Sequence, residues 1–283
     1  MSSPILVTTA WLADHLDDPN LRIVDIRGHV IPPTAPPPHY FNHREDYLKS
    51  HIPGAVFIDW VHEITDPDDI RHTQIAKPDR YAAVMSRIGV DENTFVVAYD
   101  DYGNMLAARL WWTLNYYGHT QVAVLDGGWG RWTAENRPTS AEIPSIQPTT
   151  FVPRINPTLR RTGDQVLAQL GSGQTLIDAR SASEYNGLSS RAARMGHIPG
   201  ALHVYRADLL SPDGTLLPSD QLRARFKTAG ADETTQDAVF YCNAGVSASF
   251  DLLAWRAAGL PGGSVYDASW KEWGNDPNKP IAP

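Results

Sequence analysis

The stretch Val239-Phe240-Tyr241-Cys242-Asn243-Ala244-Gly245-Val246-Ser247 passes from an apolar, β-rich run through one sulfur and a short loop of small residues into an amphipathic segment. It reads as a strand that hands a thiol to the start of a helix. A helix N-terminus presents unpaired backbone N–H groups and partial positive charge, which favour thiolate over thiol and can cradle an anion. The plainer alternative is that Cys242, the single cysteine of 283 residues, is a small buried hydrophobe chosen for packing. The loop that follows it argues for the nucleophile.

Working outward, the chain contains the same ordered pattern twice. The first copy has Leu21-Arg22-Ile23-Val24-Asp25-Ile26-Arg27, His51-Ile52-Pro53-Gly54-Ala55, Phe95-Val96-Val97-Ala98-Tyr99-Asp100-Asp101-Tyr102-Gly103 and Leu125-Asp126-Gly127-Gly128-Trp129. The second has Thr175-Leu176-Ile177-Asp178-Ala179-Arg180, His197-Ile198-Pro199-Gly200-Ala201, the Cys242 stretch through Gly245, and Val265-Tyr266-Asp267-Ala268-Ser269-Trp270. Register on Gly103 and Gly245 sets Asp100 opposite Cys242, so only the second copy keeps the sulfur. Four blocks in one order point to a duplicated domain.

Length agrees, because a single core stops growing at about 250–300 residues. The expected division is an N-terminal domain over 1–140, a linker over 141–160 and a C-terminal, Cys242-bearing domain over 161–283. The linker is read from its prolines, Pro144, Pro148, Pro153 and Pro157, which hold a chain extended and resist regular ladders. A second proline cluster, Ile31 to Pro38, is expected to be a surface insertion. No apolar run is long enough to span a bilayer and the N-terminus lacks a signal-peptide shape, so a soluble, cytoplasmic protein is expected. A lone cysteine forms no internal disulfide, which is consistent with a reducing compartment. The formal charge of −8 argues against nucleic acid or an anionic membrane as partner. An anionic substrate then needs a locally positive site.

Short β-rich runs alternate with helical-period segments in both halves, which predicts an α/β fold of parallel sheets with helices on both faces. The clearest strands are 122–125 and 238–241. Helical patterns cover 78–88, 105–117, 163–170, 219–229 and 247–258, each followed by a glycine suited to a left-handed C-terminal cap: Gly89, Gly118, Gly171, Gly230 and Gly259. Ligands of such sheets bind outside the carboxyl ends of the strands, and Cys242 lies at such an end.

Through Asp25 and Asp178, the paired His-Ile-Pro-Gly-Ala blocks, the Cys242 loop and the Asp-x-x-Trp blocks at Asp126 and Asp267, the chain resembles the two-domain rhodanese family. These are the thiosulfate and 3-mercaptopyruvate sulfurtransferases, and the resemblance spans both halves. It implies two tandem rhodanese-like domains, a catalytic Cys242 with an acid, Asp100, at the equivalent first-domain position, and a ping-pong reaction without metal or cofactor. The thiolate takes a sulfane sulfur from a small donor and passes it to cyanide or a thiol. The amides of Asn243, Ala244, Gly245, Val246 and Ser247 would cradle the persulfide. Gly245 allows the tight curvature, and Ser247 serves as helix N-cap or as donor to the persulfide.

Two departures bear on the donor. The loop is uncharged after the cysteine, unlike thiosulfate-preferring relatives, and Ala244 lacks the hydroxyl of mercaptopyruvate-type relatives. Where the family commonly has a substrate-binding arginine after the Asp-Ala-Arg block, this chain has Glu184. Arg191 and Arg194 are the remaining candidates for a carboxylate or sulfonate, against a reading as solvated surface charge. His72 follows Asp66-Pro67-Asp68-Asp69 where mercaptopyruvate-type relatives supply a histidine, against a reading as a solvated loop residue. Arg180 is expected to pair with an acid at the strand end. His51 and His197 occur in both halves and are expected to serve the shared fold, as are Trp129 and Trp270. Two other functions share this fold. A cysteine phosphatase would close its loop with an arginine, absent from 243–249. A sulfur-delivery or regulatory module would bind a protein sulfur acceptor and turn over little by itself.

Overall fold

β-branched and aromatic runs too short to be helices form the sheets, in a computed structural model that describes residues 4–31, 35–69 and 74–283. In the first half the strands are β1 (Leu6–Val7), β2 (Leu21–Asp25), β3 (Gly28–Val30), β4 (Tyr40–Asn42), β5 (Val56–Phe57), β6 (Phe95–Tyr99) and β7 (Val122–Leu125). Five of them make an all-parallel sheet in the order β1-β7-β6-β2-β5. The second half has β8 (Arg160–Arg161), β9 (Thr175–Asp178), β10 (Leu202–His203), β11 (Ala238–Tyr241) and β12 (Ser264–Tyr266), parallel in the order β10-β9-β11-β12-β8. Taken from the other end, that is the first order again. In both, the strand that ends at Asp100 or Cys242 is central. All residues of β11 are buried, as a strand covered on both faces requires.

The helices are α1 (Thr9–Asp14), α2 (Arg44–Lys49), α3 (Pro78–Arg87), α4 (Met105–Tyr116), α5 (Gly128–Ala134), α6 (Gly163–Ala168), α7 (Ala182–Tyr185), α8 (Ser219–Ala229), α9 (Val246–Ala257) and α10 (Ser269–Trp273). The five helical segments read from periodicity are present, within two residues at each end, and the five glycines after them all have positive φ. Contacts divide the chain into two compact units. One holds the residues up to Pro67 with Ile75–Asn156 and Pro212–Thr215; the other holds Pro157–Ser211 and Leu216–Pro283 with Asp68, Asp69 and Gln74. An antiparallel hairpin, β3 with β4, flanks the proline-rich insertion, of which residues 32–34 lie outside the described residues. No helix among the described residues is long and apolar enough to cross a membrane.

The repeated motifs form one buried polar network per half. Arg27 pairs with Asp25 at 2.8 Å and donates to the Ser50 carbonyl; Arg180 pairs with Asp178 at 2.5 Å and donates to the Gly196 carbonyl. Each guanidinium lies 4.4 Å from an indole centroid, that of Trp129 or Trp270. The tyrosine hydroxyls of β6 and β11 accept the amides of Ile52 and Ile198. His51 bonds the carbonyls of Tyr47 and Glu142, and His197 that of Tyr185, each ring stacked on its tyrosine. The duplicated His, Arg and Trp residues thus lock the strand ends to the loops above them, as their presence in both halves suggests.

Candidate active site

A parallel sheet leaves its strand ends to the loops, and the loop after β11 is the shortest route from a central strand into a long helix. Cys242 is the residue immediately after the strand. Its backbone is held on both sides: its N–H donates to Ser269 Oγ at 3.1 Å, and its carbonyl accepts from the Trp270 amide at 2.9 Å. Ser269 in turn donates to the Tyr266 carbonyl at 2.6 Å. The loop then turns through Gly245, at φ +72°, into α9. Gly245, not Ser247, is the N-cap, and Ser247 is the second residue of the helix. The helix begins one residue early because glycine adopts the left-handed cap conformation without steric cost.

The first half shows what this loop geometry holds. Asp100 follows β6 as Cys242 follows β11, and its carbonyl accepts from the Trp129 amide at 2.8 Å. Its carboxylate accepts four backbone N–H groups, from Tyr102, Asn104, Leu106 and Ala107, at 2.7–2.9 Å. A negative group at this strand end therefore sits in a ring of main-chain amides closed by the first turn of the next helix. The loop of the second half is one residue shorter, Cys242 to Val246 against Asp100 to Met105. It leads in the same way into the first turn of a helix, α9.

Burial pushes the Asp100 carboxyl up to about 6, although the amides pull it down. The unfolded chain ionises this group near 3.8, so between those values the unfolded state binds fewer protons and stability falls as pH rises. The expected loss is about 3 kcal/mol, complete above the folded value and absent below the unfolded one. Urea titrations between about pH 4 and 6.5 should show this slope in the wild type, less of it in Asp100→Asn. Equal slopes in the two proteins would remove Asp100 as its source.

Cys242 is not on an open rim. It is 4 % exposed, and Ala244 beside it is buried, while Asn243, Val246 and Ser247 are half-buried. Glu184, read as a departure from the family pattern, lies directly on the loop. One carboxylate oxygen caps α7 through Ser181 and the other accepts Asn243 Nδ2 at 2.7 Å.

Both segments match the Rhodanese-like domain, over residues 8–135 and 162–276. The chain belongs to the rhodanese family. It is similar over 98 % of its length, at 34 % identity, to the sulfur carrier protein TtuD of Thermus thermophilus, covering 96 % of that protein. It is 32 % identical to the thiosulfate sulfurtransferase of Rattus norvegicus, over 95 % of this chain and 91 % of the other. Its fold matches the crystal structure of the Escherichia coli 3-mercaptopyruvate sulfotransferase SseA with a TM-score of 0.83 at 30 % identity, over 95 % of this chain and 99 % of that one.

Of the other rhodanese site candidates, Arg194 is corrected by the structure. Its guanidinium donates to the carbonyls of Trp273, Gly274, Asp276 and Lys279, so four of its five N–H groups clamp the C-terminal segment and not a substrate. Arg194→Ala should cost about 1.5–3 kcal/mol in urea unfolding and leave donor KM unchanged; a raised KM at full stability would reverse the assignment. Arg191 is half-buried in the same segment, whose neighbouring Ala193 amide is held by Asn275 Oδ1. His72 lies outside the described residues. Ser269 was read only as part of a packing block. Its φ of +52°, shared by Gly128 at the matching place, was legible as a glycine opposite a serine, a sign of constrained backbone beside the site.

Proposed function

We propose that the protein is a sulfurtransferase that moves sulfane sulfur from thiosulfate or 3-mercaptopyruvate to a thiophilic acceptor through a persulfide on Cys242. The observation that carries this reading is the pairing of the two strand ends. Where one half holds a carboxylate in four amides, the other has a sulfur at the start of a twelve-residue helix. Family membership supports the same chemistry.

In the first step the Cys242 thiolate attacks the outer sulfur of the donor. The donor's sulfur bond breaks, and sulfite leaves thiosulfate with the bonding pair; from 3-mercaptopyruvate, pyruvate is released and the proton ends on carbon. The new S–S bond leaves the negative charge on the terminal sulfur, one atom beyond Cys242, where the first-turn amides of α9 stabilise it. In the second step a thiolate or cyanide attacks that terminal sulfur and Cys242 leaves as thiolate, restoring the enzyme. The loop 242–249 carries no arginine, which removes the bidentate phosphate grip of a phosphatase.

The test is intact-mass analysis after each donor, with and without acceptor. A gain of one sulfur, located to Cys242 and lost on adding cyanide, is expected; no gain from either donor would overturn the proposal. Parallel kcat/KM values for the two donors then assign the preference. The likeness to TtuD favours a second reading, delivery of the sulfur to a protein acceptor. It predicts a persulfide that forms readily yet discharges slowly to small thiols.

A further inference from the structure

The loop beside Cys242 contains no charged residue, so the charge felt there comes from side chains that reach it from other elements. Glu184 is one that does so by a direct bond. It is the third residue of α7 and its carboxylate is fixed at both ends: Ser181 N and Oγ bond one oxygen at 3.3 and 2.8 Å, and Asn243 Nδ2 bonds the other at 2.7 Å. Asn243 is itself held through its carbonyl, which accepts the Lys271 amide at 3.0 Å. A carboxylate anchored in this way cannot swing into solvent to escape an incoming anion.

Of two nearby cations, Arg180 feels the charge of Glu184 but makes its ion pair with another acid, and Arg194 is directed away. Arg180 is buried against Asp178, and the Arg194 guanidinium faces the carbonyls of 273–279. Glu184 is half-buried, where its field is screened less than that of a fully exposed charge.

We infer that Glu184 is a specificity-determining residue that selects the sulfur acceptor by charge, favouring thiols that carry a cation or no charge over anionic thiols. The inference rests on the persulfide reading above. It adds the chemical class of the second substrate: an aminothiol or neutral thiol, not a thiol carboxylate. The transfer itself is unchanged; the acceptor thiolate attacks the terminal sulfur, the S–S bond to Cys242 breaks, and Cys242 leaves as thiolate.

The test is acceptor kinetics on the full chain with cysteamine, 2-mercaptoethanol and 3-mercaptopropionate, for the wild type and Glu184→Gln. Glutamine keeps the capping box through its one oxygen, and its Nε2 can donate to Asn243 Oδ1 once that amide turns over, so the variant changes charge more than structure. Each thiol's own ionisation cancels when the variant is compared with the wild type. The ratio of kcat/KM for cysteamine to that for 3-mercaptopropionate should fall about fivefold in Glu184→Gln. The change should lie in the acceptor KM, since a fixed charge acts on binding and transition state alike. Added salt should shrink the wild-type ratio towards that of the variant. A ratio that moves less than about twofold, or an effect confined to kcat, overturns the inference. Absence of any persulfide on wild-type Cys242 by mass would instead overturn the underlying function, so the two failures are distinct.

Discussion

Cys242→Ser is expected to form no persulfide and to lose sulfur transfer by more than about a thousandfold, because a hydroxyl at this place is neither ionised nor able to hold a sulfane sulfur. The loop itself should survive. Its bonds run through the backbone of residue 242, to Ser269 Oγ and from the Trp270 amide, and neither depends on the sulfur. Replacing a buried sulfur by a hydroxyl costs about 1 kcal/mol if the hydroxyl finds a partner. Denaturation should therefore show a modest loss while turnover with cyanide and with thiols disappears. Turnover within tenfold of wild type would remove Cys242 from the mechanism; an unfolded variant would show that the sulfur is packing.

The second large effect is on stability. Arg180→Ala should destabilise the second half by about 3–5 kcal/mol, as does breaking one side of a buried pair elsewhere. Both side chains of the Asp178–Arg180 pair are 0 % exposed. Removing the guanidinium strands the carboxylate at the end of β9 and takes away the bond to the Gly196 carbonyl and the face over Trp270. That network ties together the Asp-Ala-Arg strand, the loop that carries His197-Ile198-Pro199 and the residue whose amide holds the Cys242 carbonyl. Loss of activity in this variant would consequently follow unfolding. Pairing it with Asp178→Asn should recover part of the loss, because no buried charge is then left alone. A cost below about 1 kcal/mol for Arg180→Ala, measured in urea, would show that solvent reaches the site.

The first half provides the internal comparison for both variants. It has the same pair, Asp25 with Arg27, over the same kind of indole, and at the end of its central strand it carries an acid in place of the sulfur. Arg27 and Arg180 therefore serve the shared fold, and at the end of the central strand the halves differ in the residue itself and in the length of the loop after it.

The parallel sheets, the five helices and the strand that ends at Cys242 were legible because each rests on local chemistry: apolar runs with the right period, glycines at caps and two copies of one pattern; the strand order came only with the fold. Of the two roles read for Ser247, the N-cap falls instead to Gly245, two residues earlier: serine is the commoner capping residue, and only the fold shows that the turn read at Gly245 is itself the cap. Arg194 was misread for a different reason. A guanidinium near a site is ambiguous in sequence, and only the fold shows that the carbonyls of 273–279, some eighty residues away, converge on it.

By itself, then, the sequence determined the duplicated α/β architecture, the half that keeps the thiol, and the residues that must be structural because both halves retain them. Tertiary structure decided how far the sulfur is buried, which arginine clamps the C-terminal segment, and that Glu184 reaches Asn243 across fifty-nine positions. The reason is physical: periodicity and turn chemistry act between neighbours along the chain, whereas burial and charge pairing depend on distances that exist only after the strands have been brought side by side.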